Sequence, residues 1–484
     1  MTEIRALFSP AQLAKDGAAV LAVLVENLAR AQRREGPVMG RATGADFPGE
    51  FTRAGDGALL AHIEKALASS TQLQSPRFVG HQVATPLPAA ALCDLVASFV
   101  NNGMAVFEMG PAASTMERAV LQWMAALAGF PSTSGGILTS GGSLGNLTAL
   151  LAARQRACSA AGPGGAGFDA WRRGLRNGPQ LCVLVAESAH YSVARAAHIL
   201  GLGDDGVMLV DVDDQLKMRV DALERALVEC RKRKRLPIAV VASAASTAAG
   251  AYDPIAAIAE VCGREKIWLH IDGAHGAPLL LSERHRHKLA GVARADSIVW
   301  DAHKLMMMPA LVTAVLFRDA KDNAAAFAQD AGYLFDDDRR DDVAGDDIGK
   351  RTIECTKRMM SLKVYACLKA FGTDAFADHV DRCCALASTF AHTCRARGVA
   401  VLTEPECNIV CFRPKNVDGS LLHGGAVAAL RKRIVADGAF YLVQLHRKDG
   451  MWLRVTLAHP LTTEADLDAL LDAVLAAVPS DAAL

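Results

Sequence analysis

Six short apolar runs, separated by helical segments, dominate the middle of the chain and restrict its fold. They are Leu181–Ala186, Val207–Val210, Ile238–Ala242, Ile267–Ile271, Ser297–Trp300 and Val312–Phe317. Runs of Val, Ile and Leu between amphipathic helices predict strands buried on both faces, and so a mostly parallel sheet covered by helices. In such α/β sheets ligands bind beyond the carboxyl ends of the strands. Residues just after each run are therefore the first candidates for function.

The flanks read differently. Ala11–Arg30 and Gly57–Ser69 are helical in spacing, and helices are expected at Ala89–Asn101 and Thr115–Ala128. Past residue 375 a long helix over Thr373–Gly398 leads into strand-like Asn408–Arg413, Phe440–Leu445 and Trp452–Leu457. Helices at Ala426–Asp437 and from Thr463 complete a small α+β pattern. The expected organisation is a helical segment over 1–75, a large domain over 76–375 and a small C-terminal domain over 376–484. A length of 484 residues fits several domains.

Charge excludes some functions. With 52 basic and 52 acidic residues, bulk attraction to nucleic acid or a membrane surface is not expected, which leaves small ligands. The run Arg231–Arg235 reads as cations closing a helix that starts near Asp221, where the macrodipole favours them. The N-terminus lacks a secretory pattern, and no apolar stretch is long enough to span a bilayer. Twelve scattered cysteines without a CxxC pair, and His285 and His287 without nearby ligands, read as reduced thiols and a solvated loop, with no metal site. A cytoplasmic location is the expectation.

Five strand-end features carry chemistry. Lys304, in Asp301-Ala-His303-Lys304, follows a buried strand, and withdrawal from water favours a neutral, nucleophilic amine. Asp272 ends the preceding strand, where a buried carboxylate needs a positive partner such as a pyridinium nitrogen. Thr139-Ser140-Gly141-Gly142-Ser143-Leu-Gly145-Asn146 opens a helix. Its glycines, amides and the Ser143 hydroxyl suit a phosphate, while its spacing matches neither the dinucleotide nor the P-loop fingerprint. His190 could stack on a flat ring, and Thr247 could support one. Taken singly, Lys304 reads as a surface lysine, Asp272 as a helix cap and His190 as structural; their order and separation argue otherwise.

In that order and separation the chain resembles the fold-type I pyridoxal 5′-phosphate (PLP) enzymes. Within them it resembles the group II amino-acid decarboxylases, which act on glutamate, cysteine sulfinate, 2,4-diaminobutyrate and aromatic amino acids. Further matching stretches are Pro76-Arg-Phe-Val-Gly-His81-Gln82, Pro111–Glu117, Ala331-Gly-Tyr333-Leu-Phe335 and Leu453-Arg454-Val455, so the resemblance spans roughly residues 75–475.

The resemblance implies a large, mostly parallel sheet of the seven-stranded type and a small C-terminal domain. It implies PLP held as a Schiff base by Lys304, with His303 near its phosphate together with Gly142 and Ser143. Asp272 would pair with the ring nitrogen, Ala274 would pack beneath the ring and His190 above it. Arg454 would address the substrate carboxylate, and Gln82 and His81 the substrate pocket. It also implies a homodimer with sites at the interface, the N-terminal segment wrapping the partner. The expected reaction is decarboxylation of an L-amino acid, acidic or diamino (glutamate, aspartate, cysteine sulfinate or 2,4-diaminobutyrate). One departure opens alternatives. The family carries a tyrosine in a mobile loop that here reads Asp336–Lys350 and contains none, Gly345 standing near its place. An aldehyde synthase or carbon–carbon lyase, or a catalytically silent PLP-binding homologue, are the rival readings.

Overall fold

A computed structural model describes residues 8–43, 45–47, 49, 55–160, 167–327, 347–416 and 418–478. Tyr333, Gly345 and most of the acidic loop from Asp336 lie outside the described residues. The chain divides into two compact units. The larger comprises Gln82–Ser388 with Thr403–Val410, and the smaller Met1–His81, Thr389–Leu402 and Cys411–Leu484.

Seven strands form the sheet of the larger unit: β1 (Gly135–Thr139), β2 (Gln180–Ala186), β3 (Val207–Val210), β4 (Arg235–Ser243), β5 (Trp268–Asp272), β6 (Ser297–Asp301) and β7 (Thr313–Phe317). Their order is β1-β7-β6-β5-β4-β2-β3. The pairs β3–β2, β2–β4, β4–β5 and β5–β6 are parallel, and β7 runs antiparallel to both β6 and β1. The sheet is thus mostly parallel, as expected. Every residue of β5, β6 and β7 is buried, which accounts for their unbroken apolar sequence. Helices pack on both sides, among them Gly142–Ala160, Val220–Lys232 and Ile255–Glu265.

β1 was not expected from sequence. Gly135 and Gly136 are poor strand formers, yet they are needed here. A Cβ at Gly136 would lie 2.4 Å from the Val315 carbonyl oxygen, and one at Gly135 would lie 2.7 Å from Ala320 Cβ. Close packing over β7 therefore selects the residues that hide the strand. The basic run behaves as expected at its start and then departs. Arg231 and Lys232 end helix Val220–Lys232, Lys234 adopts a left-handed turn (φ 55°), and Arg235 is already the first residue of β4.

The smaller unit holds most of a four-stranded sheet: β8 (Ala400–Val401), β9 (Ile409–Arg413, its first two residues counted with the larger unit), β10 (Val443–Arg447) and β11 (Gly450–Thr456), in the order β10-β11-β9-β8. Its helices start at strong sequence signals. Ser9 caps helix Pro10–Gln32, whose first residue is proline, and Thr463 with Asp466 forms a capping box on Glu464–Ala476. Asp466 also accepts from Arg34 through both oxygens (2.6 and 2.7 Å), tying the end of the first helix to the start of the last.

Candidate active site

A cavity of about 260 Å3 opens at the carboxyl ends of β2, β4, β5 and β6. Gly142, Ser143, His190, Thr247, Asp272, Ala274, His303 and Lys304 all line it. These are eight of the residues singled out from sequence, and the fold brings them together although they span more than 160 positions. Gln82 is half-buried at the start of the larger unit. His81 and Arg454 belong to the smaller unit. The His81 ring lies 5.8 Å from that of Tyr441, and Arg454 is buried on β11 opposite Val443.

The turn after β1 shapes one wall. Gly141 takes φ +103°, a conformation L side chains rarely adopt. The next residue, Gly142, starts the 19-residue helix Gly142–Ala160, whose first free amides point an anion-binding end at the cavity. A Cβ on Gly142 would sit 3.2 Å from both carboxylate oxygens of Asp301. One turn on, Gly145 lets this helix lie against the sheet, since a Cβ there would meet Val299, Val315 and Thr313 at 3.1–3.3 Å.

Lys304 is held from below. Its Nζ lies 2.9 Å from Asp301 Oδ2, three residues earlier at the end of β6. Thr313 Oγ1 donates to the other oxygen of Asp301 at 2.5 Å, and His303 Nε2 lies 3.5 Å from Oδ2. Burial pushes the Asp301 carboxyl up, but Lys304, His303 and Thr313 outweigh it and hold it below its ordinary value. His303 is itself fixed by Val312, whose carbonyl oxygen and N–H lie 2.9 and 3.2 Å from Nδ1.

Asp272 is held by neutral donors. The Ala274 N–H donates to its Oδ1 at 3.3 Å and the Asn146 amide to its Oδ2 at 3.0 Å. The same amide donates to Ser192 Oγ at 2.8 Å, and Ser192 Oγ lies 2.7 Å from His190 Nδ1. Burial pushes His190 below its ordinary value, with Asp272 opposing and Lys304 assisting the shift. His190 thus favours the neutral form.

Three residues of this site were passed over in sequence reasoning. Asp301 ends an apolar strand as Asp272 does and stands at i−3 from Lys304, a signal available in the sequence. His270 interrupts an apolar strand two residues before Asp272, so both side chains point to one face. Asn146 closes the glycine-rich turn, but nothing local reveals that its partners are Asp272 and His270.

Chemically, the donor set fits PLP. A helix N-terminus and a serine suit its phosphate, a carboxylate its ring nitrogen, an imidazole and Ala274 a flat ring, and an amine its aldehyde. Comparison with known proteins agrees. The family model described as the pyridoxal-dependent decarboxylase conserved domain matches residues 46–415. Cysteine sulfinic acid decarboxylase of Homo sapiens is 32% identical over 426 residues, covering 86% of this chain and 84% of that protein. The acidic amino acid decarboxylase of Mus musculus is 30% identical over 428 residues, covering 86% and 76%. The crystal structure of mouse CSAD superposes with a TM-score of 0.89 at 27% identity, over 98% of this chain and 100% of that one. The fold is that of the fold-type I PLP enzymes, and the chain belongs to the pyridoxal-dependent decarboxylases.

Proposed function

We propose that this PLP-dependent amino-acid decarboxylase takes an acidic L-amino acid, with cysteine sulfinate, aspartate and glutamate as first candidates, and releases CO2 and the corresponding amine. The observation that carries the reading is the convergence of Lys304, Asp272 and His190 on one cavity. The names of its relatives support an acidic substrate over a diamino one. When bound, PLP supplies an electron sink for the pair left on Cα as the carboxylate departs.

The chain's residues supply the rest. Lys304 would anchor the aldehyde through its amine and be released when substrate takes its place. Gly142, Ser143 and His303 would hold the phosphate. Asp272 would keep the ring nitrogen protonated, Ala274 and His190 would confine the ring between them, and Thr247 would support it. By family resemblance, Arg454 takes the substrate carboxylate, and Gln82 and His81 serve the substrate pocket. By orienting the bond to be broken, the residues around the cavity would select decarboxylation over competing outcomes.

A homodimer is part of the proposal, with the helical segment 1–75 wrapping the partner. Two exposed apolar faces support it. Helix Pro10–Gln32 exposes Leu13, Leu21, Leu24 and Val25, and helix Pro88–Val100 exposes Leu92, Leu95, Val96 and Phe99. We place the protein in the cytoplasm. None of the twelve cysteines forms a disulfide and ten of them are buried, as a reducing compartment permits. Among the described residues no helix is long and apolar enough to cross a membrane.

Mass spectrometry of products, after incubating PLP-loaded enzyme in air with a panel of L-amino acids, tests the reading. An amine from an acidic substrate, lost in Lys304→Ala, is the expected result. An aldehyde with ammonia would overturn it in favour of the second reading, which the tyrosine-free loop Asp336–Lys350 supports.

A further inference from the structure

Along and behind the cavity wall lies a buried polar network whose members other than Asp272 and His190 have no part in the reaction scheme above. Trp268, His270 and Asp272 alternate along β5 and share one face. Ser297, the first residue of β6, stands beside His270 in the parallel register. Asn146 comes from the first turns of helix Gly142–Ala160, and Ser192 opens helix Ser192–Ile199. Trp268, His270, Ser297, Asn146 and Ser192 are each no more than 2% exposed, so their hydrogen bonds must satisfy one another.

Elementary donor and acceptor rules give the network a direction. An indole N–H can only donate, so Trp268 Nε1 donates to Ser297 Oγ at 2.8 Å. The Ser297 hydroxyl is then free to donate to His270 Nδ1, also at 2.8 Å. Burial pushes the His270 imidazole down to about 4, so it is neutral. Asp272 can only accept, so Asn146 turns its NH2 to that carboxylate and its Oδ1 to His270, and the one ring proton sits on the Nε2 that faces this oxygen. That proton goes to Asn146 Oδ1 at 2.9 Å. With its oxygen committed, the Asn146 amide spends both N–H groups, one on Asp272 Oδ2 and one on Ser192 Oγ. Ser192 accepts from Asn146 and has its own proton to give to His190 Nδ1, 2.7 Å away. The Ser192 backbone N–H also donates to that nitrogen, at 3.3 Å. With a backbone N–H and a hydroxyl both facing Nδ1, a neutral His190 is favoured to carry its proton on Nε2.

We propose that Ser297, His270, Asn146 and Ser192 are positioning residues forming a one-way hydrogen-bond chain that fixes His190 as its Nε2–H tautomer. The chain starts at Trp268, more than 75 residues along the sequence from the histidine it controls. Its branch at Asn146 orients Asp272 with the same amide, so the ring-facing imidazole and the carboxylate are set by one side chain. His190 then offers a donor, and not a lone pair, to whatever fills the cavity. The inference rests on the proposed use of this cavity, but the tautomer is a property of the resting protein and needs no substrate to observe.

Nuclear magnetic resonance on PLP-loaded enzyme labelled with 15N in its histidine rings reads the tautomer directly, His190→Gln identifying the signal. The expected spectrum has a bare Nδ1 and a protonated Nε2 for His190 near neutral pH. Ser192→Ala should convert this to a mixture of tautomers, while Ser192→Thr, which keeps the hydroxyl, should restore it. Asn146→Asp, which removes both N–H donors and faces Asp272 with a second carboxylate, should also raise the PLP dissociation constant at least tenfold. A proton on Nδ1 in the unmodified protein, or an unchanged His190 signal in Ser192→Ala, would overturn the proposal. Loss of amine formation with the expected spectrum intact would count against the proposed function alone.

Discussion

Lys304 and Asp301 form an ion pair across one turn, with Nζ 2.9 Å from Oδ2 and the carboxylate almost wholly buried. Removing one member of such a buried pair leaves the other uncompensated, at a cost of about 3–5 kcal/mol. Asp301→Asn is expected to lower the melting temperature of the cofactor-free protein. Lys304→Met combined with Asp301→Asn should recover part of the loss. Thermal unfolding of the two single variants and the double variant measures the coupling, and additive effects would show that the pair contributes nothing.

Gly142→Ala places a methyl group 3.2 Å from both Asp301 oxygens at the start of helix Gly142–Ala160, the proposed phosphate site. The variant should fold, since the helix gains a better former, but it should hold PLP about tenfold more weakly, equivalent to about 1.4 kcal/mol. Titration of the visible absorption band with PLP checks this, and an unchanged dissociation constant would remove the turn from the phosphate site.

A second buried pair supports the strand that leads into that turn. Lys357 Nζ donates to Glu117 Oε1 and to the Leu138 carbonyl, both at 2.5 Å, and the Leu138 N–H donates to the same Glu117 oxygen at 2.9 Å. Burial pushes the Lys357 amine below its ordinary value even against the attraction of Glu117. Lys357→Met is expected to destabilise by about 3–5 kcal/mol, while replacing both partners with apolar residues should cost much less. Chemical denaturation of the three proteins would distinguish these outcomes.

In the smaller unit, burial pushes the Asp466 carboxyl up, but hydrogen bonds from Arg34 and Thr463 and the Arg34 charge hold it well below the usual carboxylate range. A folded-state value below the unfolded one stabilises the fold above the unfolded value, and that stability is lost as pH falls toward the folded one. The stability advantage of the natural protein over Asp466→Asn should therefore be full near neutral pH and narrow below about pH 4. Melting temperatures recorded across that range test the sign. An advantage that grows on acidification would contradict it.

Much of this was legible in the sequence, for identifiable reasons. Buried parallel strands must be apolar on both faces, so six of the seven strands in the large sheet announced themselves, and a ligand edge followed from their carboxyl ends. Lys304, Asp272 and His190 could be found because each ends or closely follows an apolar run at that edge. β1 could not, because packing against β7 demands glycines that no strand pattern predicts. The division of labour within the site was also hidden. Asn146, His270 and Ser297 stand in view in the sequence, but their pairing depends on which strands lie side by side, and that is decided by packing across more than 100 residues.

The placement of the cavity has a thermodynamic consequence. Its walls run from Ser140 to Leu311 in the chain, contributed by strand ends that become neighbours only when the whole sheet is assembled. No short fragment presents the site, so the unfolded chain has no affinity comparable to that of the native one. Binding and folding are then linked. Cofactor at about 100 times its dissociation constant adds about 2.7 kcal/mol to the stability of the entire large unit. PLP supply thereby becomes a determinant of how much folded protein persists, apart from any part it plays in turnover.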